Sequence, residues 1–246
     1  MNKTAAVILS LSMGALLAGC EGAQSEKDMI AEAQFCLDEA TDGPTAKACV
    51  SKIAGLDTMQ ANTLRCAAGF IEAEVTSPRN LSNALNAISN GEGASSLLTS
   101  LSFPSVTLAN ETFVSCNKAS TTGLKLIGAM AKSATLLAEA AKSFGLSSCS
   151  TITACSPADL ENGLQQLADD IQSGNPSAQT EQTVLAVVAS IQTVYTSTCT
   201  GSSTANGDIC NQINNAISTS GKDITTTNEA ELLAIGKELL LQWKNN

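Results

Sequence analysis

The chain has no histidine, two arginines (Arg65 and Arg79) and seven aromatic residues in 246. Each scarcity removes a class of chemistry. Without histidine there is no Ser-His or Cys-His nucleophilic centre and no imidazole-bound metal. A nucleic-acid binder needs clustered Lys and Arg to displace phosphate counterions, and the thirteen basic residues are scattered among twenty-three acidic ones. Only Trp243 and Tyr195 are aromatics with a polar handle, which argues against sugar platforms and base-stacking surfaces. The chain also lacks a Cys-x-x-Cys pair, the Asp-x-Asp-x-Asp-Gly spacing of a calcium loop and a glycine-rich phosphate cradle after a strand. We therefore expect no cofactor, no metal and no nucleic acid.

What is present begins at the first residue. Lys3 supplies a positive start, and an uncharged, largely apolar run follows from Ala5 to Leu17. That run is shorter than the roughly 20 apolar residues a bilayer-spanning helix needs, and it fits the h-region of a secretory signal. Leu17-Ala18-Gly19-Cys20 closes it, with small residues before Cys20. This ending resembles the lipobox of bacterial lipoproteins, the alternative being an ordinary signal peptide with an incidental cysteine. The resemblance implies cleavage before Cys20, a diacylglycerol on its thiol and acylation of the new amino group. Two or three acyl chains would anchor the protein durably, where one binds marginally. Glu21 follows, not the aspartate that retains many lipoproteins in the inner membrane of enteric bacteria. The resemblance thus implies an outer-membrane lipoprotein facing the periplasm. The expected domains are a signal peptide at 1–19, lipidated Cys20 with a polar tether at 20–27, and a globular body at 28–246.

Removing the signal takes Lys3 with it and leaves 12 basic residues against 23 acidic ones, a net charge of −11. It also resolves the cysteine count. Nine cysteines minus Cys20 leaves Cys36, Cys49, Cys66, Cys116, Cys149, Cys155, Cys199 and Cys210. An even number in an exported chain reads as disulfides. A thiolate metal site is the rival reading, and the lack of histidine and of Cys-x-x-Cys speaks against it. Sequential pairing closes the shortest loops: Cys149–Cys155 around "STITA", Cys199–Cys210 around "TGSSTANGDI", and Cys36–Cys49 across the turn "TDGPT". Cys66–Cys116 then remains.

Beyond the tether, helical periodicity dominates. In 57–75, Asp57 is a candidate N-cap with Gln60 three residues on, and Leu64, Ala67, Ile71 and Val75 share a face. "SPRNLSNALNAIS" places Ser77 and Pro78 at a helix start. "SPADLENGLQQLADDI" repeats that grammar with Ser156 and Pro157, then Leu160, Leu164, Leu167 and Ile171. Asn228 and Glu231 form a capping pair ahead of Leu232, Ile235, Leu239 and Trp243. The longest run, 109–144, has Gly123 and Gly128 as points of breakage or bending. Segment 177–197 is rich in Val and Thr, a composition strands share, but its length and the spacing of Val184, Val188, Ile191 and Tyr195 favour helix. "SNGEGASS" and "TGSSTANGD" read as surface turns. The expected fold is all-α, with about nine or ten helices stapled by disulfides.

Within it, "CAAGFIEAEVTSPRNLSNALNAIS" (66–89) resembles the second helix of a tetratricopeptide repeat running into the next repeat. Cys66, Phe70, Ala73 and Pro78 fall where that repeat has Ala, an aromatic, Ala and Pro. The upstream Trp/Leu/Gly/Tyr pattern and a continuing 34-residue period are absent. An irregular bundle or another array of helical hairpins fits the same residues.

Catalytic constellations are sparse. "SCNK" (Ser115 to Lys118) has the Ser-x-x-Lys spacing of penicillin-binding enzymes without their companion motifs. Lys132-Ser133 and Lys142-Ser143 are adjacent, and adjacent residues on a helix diverge. Asp38-Glu39, Glu72 with Glu74, and Asp169-Asp170 are paired carboxylates of the kind a glycosidase sets across a cleft, though solvated helix faces account for them. The expectation is a non-enzymatic, lipid-anchored component that binds an envelope protein. A carrier or chaperone for an apolar ligand is the alternative.

Overall fold

A computed structural model of the chain describes residues 25–76, 99–143, 149, 151–200 and 207–244; at 197, 198, 208, 209, 243 and 244 the backbone alone is described. Nine α-helices, a further helical segment at 99–101 and no strand occur among the described residues. The nine are α1 (25–38), α2 (Gly43–Ser51), α3 (Met59–Glu72), α4 (Val106–Lys118), α5 (Thr122–Ser143), α6 (Pro157–Gln172), α7 (Ala178–Val194), α8 (Gly207–Ser220) and α9 (Glu229–Lys244). A 3₁₀ turn (Ile152–Ala154) precedes α6, and α7 runs on into a π-helical turn (Tyr195–Cys199). This is the disulfide-stapled all-α fold that the periodicity predicts.

Helix starts follow capping chemistry, because each first turn leaves N–H groups without intrahelical partners. Ser156 caps α6, accepting from the Asp159 N–H, while the Asp159 carboxylate accepts from the Ser156 N–H at 3.0 Å, and Pro157 opens the first turn. Asn228 Oδ1 accepts from the N–H groups of Ala230 and Glu231 at 3.0 and 3.4 Å. At α3 the cap is Thr58, not Asp57: the Thr58 hydroxyl accepts from the Ala61 N–H at 3.3 Å. Asp57, one residue too early to reach the first turn, turns to Asn62 and Lys118 instead. The helix ends with Glu74 at φ 57° and the Val75 N–H bonded to Phe70 O, a left-handed stop usually built on glycine.

Two further expectations need correction. The run 109–144 is two helices, and the break lies at Ala119, whose extended backbone (ψ 160°) ends α4. Gly123 and Gly128 are both inside α5. Gly128 is there for contact: a Cβ on it would lie 2.6 Å from Cys116 Cβ. Residues 25–27, expected in the tether, already belong to α1. The helix expected at 77–89, in the second half of the tetratricopeptide-like stretch, and the turn expected at 89–96 lie outside the described residues. So do residues 201–206 of the other turn.

The helices pack in two ways. From α2 to α5 the helices named here stack in order, α2 on α3, α3 on α4, α4 on α5. Beyond α5 the order is interlaced: α5 packs on α6 and α7, while α9 packs on α6, α7 and α8. The interlaced half shares one large core. Leu137 and Ala141 of α5, Leu160 and Leu167 of α6, Val184 and Val188 of α7, and Leu232 and Ile235 of α9 are all buried in it. The stacked half has smaller clusters, with Phe70 and Phe103 meeting edge to face (centroids 5.3 Å apart). The alanine-rich inner face of α5 allows both halves to approach closely, since α5 buries Ala129, Ala131, Ala134, Ala138 and Ala141.

Candidate functional site

Cysteine is the residue type the sequence singles out most clearly. Cys20 lies outside the described residues. The other eight are paired: Cys36–Cys49, Cys66–Cys116, Cys149–Cys155 and Cys199–Cys210, with Cα–Cα distances from 4.2 to 5.5 Å. These are the same pairs that sequential closure gives. Each has a distinct mechanical role. Cys36–Cys49 joins α1 to α2, and Cys66–Cys116 joins α3 to α4 across fifty residues. Cys149–Cys155 closes the turn onto α6, and Cys199–Cys210 ties the π-helical turn to α8. Cys66 and Cys116 are fully buried, whereas Cys199 and Cys210 are half-buried.

The Ser-Lys spacings do not become dyads. Ser115 Oγ donates to Glu111 O at 3.2 Å, while Lys118 Nζ donates to both oxygens of Asp57 at 3.0 Å. Ser143 Oγ donates to Ala140 O and Lys142 Nζ pairs with Glu139 at 3.3 Å. Lys132 is half-buried, its ammonium 4.5 Å from the centre of the Phe113 ring, and burial pushes its pKa below the usual lysine value.

The carboxylates likewise have separate duties. Asp38 and Glu39 are exposed on the end of α1. Glu72 lies 3.9 Å from Lys47. Asp169 is exposed, but Asp170 accepts from Thr180 Oγ1 and, at 3.0 Å, from the Ser177 N–H. Those hydrogen bonds, Thr180's first, hold its pKa below the ordinary aspartate value. A carboxylate at the end of α6 thus completes the N-terminal cap of α7, where the helix dipole favours negative charge. Among the described residues, no group of three or more Cys, Asp or Glu side chains is arranged to hold a metal ion.

The most convergent polar cluster is one that motif reading misses. Arg65 Nη2 donates to Ile53 O and Leu56 O at 2.6 and 2.7 Å, and its Nη1 to Asn62 Oδ1 at 3.2 Å. Buried Asn62 in turn donates to Asp57 Oδ1 at 2.9 Å. Asn62, then Lys118, holds the Asp57 pKa down. The cluster closes the loop between α2 and α3 and pins the end of α4 to it. Its polar groups are engaged within the protein, so its chemistry is structural. The available signal was that Arg65 is one of two arginines in the chain.

The apolar gap between α5, α6, α7 and α9, walled by Leu137, Leu167, Val184, Val188, Gly236 and Leu240, measures about 30 Å³. That is room for about one water molecule, where a small-molecule site takes about 300–1,000 Å³. No helix among the described residues is long and apolar enough to cross a membrane.

No family model, no curated protein and no solved structure matches the chain.

Proposed function

We propose that this is a lipid-anchored envelope protein, held by acylated Cys20 at the periplasmic face of an outer membrane, that works as a binding or scaffold component of a membrane-associated assembly. The observation that carries the reading is the cysteine partition. Eight cysteines find partners within the fold, and the ninth stands behind Leu17-Ala18-Gly19 at the end of an apolar leader. A free thiol in an oxidising compartment would be a liability, and lipidation removes it.

The same partition favours a mechanical role. Residue 25 is already helical, so five residues at most separate lipid from fold, a reach of about 18 Å at full extension. The body would be held close to the headgroups and present its surface there. Disulfides at both ends of the chain keep that surface rigid, which lowers the ordering cost of gripping a partner. The apolar gap among the described helices, about 30 Å³, has no room for an acyl chain or comparable ligand and weighs against the carrier reading.

The test is expression of the native chain and of Cys20→Ala in a Gram-negative host, followed by membrane fractionation and crosslinked pull-down in mild detergent. The reading predicts membrane retention for the native chain, release of the variant, and a stoichiometric protein partner. Recovery of lipid alone with the native chain would favour a carrier instead.

A further inference from the structure

We infer that the outward face of α1 is the docking surface, and that its partner is a basic protein surface with an apolar recess for Phe35. This deepens the binding reading above and rests on it. Helix α1 turns Ala33 and Leu37 inward, both buried, against Ile53 and Ala61 on one side and Ala46 and Cys49 on the other. On the opposite face Ala31, Gln34 and Phe35 are exposed. Phe35 is 67% exposed, more than any other large apolar side chain among the described residues. Phe70 and Phe103 are buried, and Phe113 lies under Lys132. Residues three and four apart are neighbours on a helix surface. Beside Phe35 these are Ala31 and Glu32 on one side, Asp38 and Glu39 on the other. Ala31 is small beside the exposed ring, and Asp38 and Glu39 are exposed one turn further along, while the Glu32 carboxylate is taken up by Lys52.

The knob is also rigidly mounted. The next residue, Cys36, is bonded to Cys49 of α2, and one turn back Glu32 pairs with Lys52 just beyond α2. Both ties fix the turn that carries Phe35 before any partner arrives, which is how an anchor residue gains affinity.

Charge decides between occupants. On the Phe35 side of α1, Asp28, Asp38 and the following Glu39 stand against Lys27, while Glu32 is already paired with Lys52. An anionic lipid headgroup would be repelled, and a second copy would bring the same acidic face against itself. A partner with Lys or Arg around an apolar pocket matches both the ring and its rim.

The experiment uses the full-length lipoprotein in detergent and two fluorescent 18-residue amphipathic helices of equal apolar content, one Lys/Leu and one Glu/Leu. Anisotropy gives affinity, and hydrogen exchange locates the contact. The inference predicts that the Lys/Leu peptide binds, protects the segment 28–39 and weakens with salt. Phe35→Ala and the pair Asp38→Lys with Glu39→Lys should each weaken it about tenfold or more, while Val114→Ala, at a side chain 55% exposed on α4, leaves it unchanged. Equal loss in Phe35→Ala and Val114→Ala, or equal binding of the Glu/Leu peptide, would overturn the inference. So would capture of that face by phosphatidylglycerol vesicles, or concentration-dependent dimerisation abolished by Phe35→Ala. A protein partner held at another face would sink this inference and leave the binding reading standing. Absence of any protein partner of the lipidated chain defeats the binding reading itself.

Discussion

Thr112 shows how tightly α3, α4 and α5 are pressed together. Its hydroxyl is buried without a hydrogen-bond partner, and a Cβ placed on Gly69 of α3 would lie 2.1 Å from it. On the next turn of α4, Cys116 meets Gly128 of α5 almost as closely. Glycine here sacrifices helix propensity, about 1 kcal/mol against alanine, for an approach no side chain permits. Gly69→Ala is therefore expected to destabilise by about 2 kcal/mol despite the propensity gain. Thr112→Val should stabilise by about 1 kcal/mol, because a methyl group replaces an unsatisfied hydroxyl of the same shape. Urea unfolding midpoints check both. A stabilising Gly69→Ala would mean that the helices have slack between them. Gly128 looks, in the sequence alone, like a helix breaker, because a breaker and a contact glycine differ only in what faces them.

At the scale of the element, helix ends were the most legible feature, since a cap is a local event. Ser156-Pro157 and Asn228 start their helices where the sequence places them. The failures are equally physical. Thr58 is the cap because α3 starts at Met59, one residue later than a cap at Asp57 would require, and the break at Ala119 carries no Gly or Pro to announce it. Asp170 could not be read either, as its partners belong to the next helix. Its folded pKa lies below the ordinary value of 3.8, so its contribution to stability is complete above that value and is lost as pH falls through the folded one. Asp42, Asp57 and Asp223 are shifted the same way, each held down by hydrogen bonds. We expect Asp170→Asn to be less stable than the native chain at neutral pH, with the gap closing as pH falls below the ordinary aspartate value of 3.8. A gap in urea midpoint that stays constant over that range would remove the carboxylate from the account. The disulfides should separate by exposure: mild reductant opens half-buried Cys199–Cys210 before buried Cys66–Cys116, read by alkylation and peptide mass. Losing Cys66–Cys116, with its fifty-residue loop, is expected to cost about 4 kcal/mol, and losing Cys149–Cys155, with six, about 2 kcal/mol.

For the whole molecule, composition spoke most clearly. A chain with few aromatics cannot fill a core with large rings, and this one uses alanine-lined helices, leucine and valine, and four cross-links. The all-α class followed from periodicity, whereas the change from stacked to interlaced packing at α5 did not, because pairing across distant segments leaves no local pattern. The docking face of α1 escaped notice for a similar reason: exposure of Phe35 is decided by which face of the helix the rest of the chain covers. The central claim is that cysteine is partitioned, one for the membrane and eight for the fold. Intact-mass and peptide mass spectrometry of the non-reduced, membrane-derived protein tests it in one measurement. The account predicts a chain beginning at Cys20, carrying a diacylglyceryl group and an amide-linked acyl chain, with four disulfides and no alkylatable thiol. A chain that retains residues 1–19, or whose Cys20 is a free thiol or half of a disulfide, would contradict it.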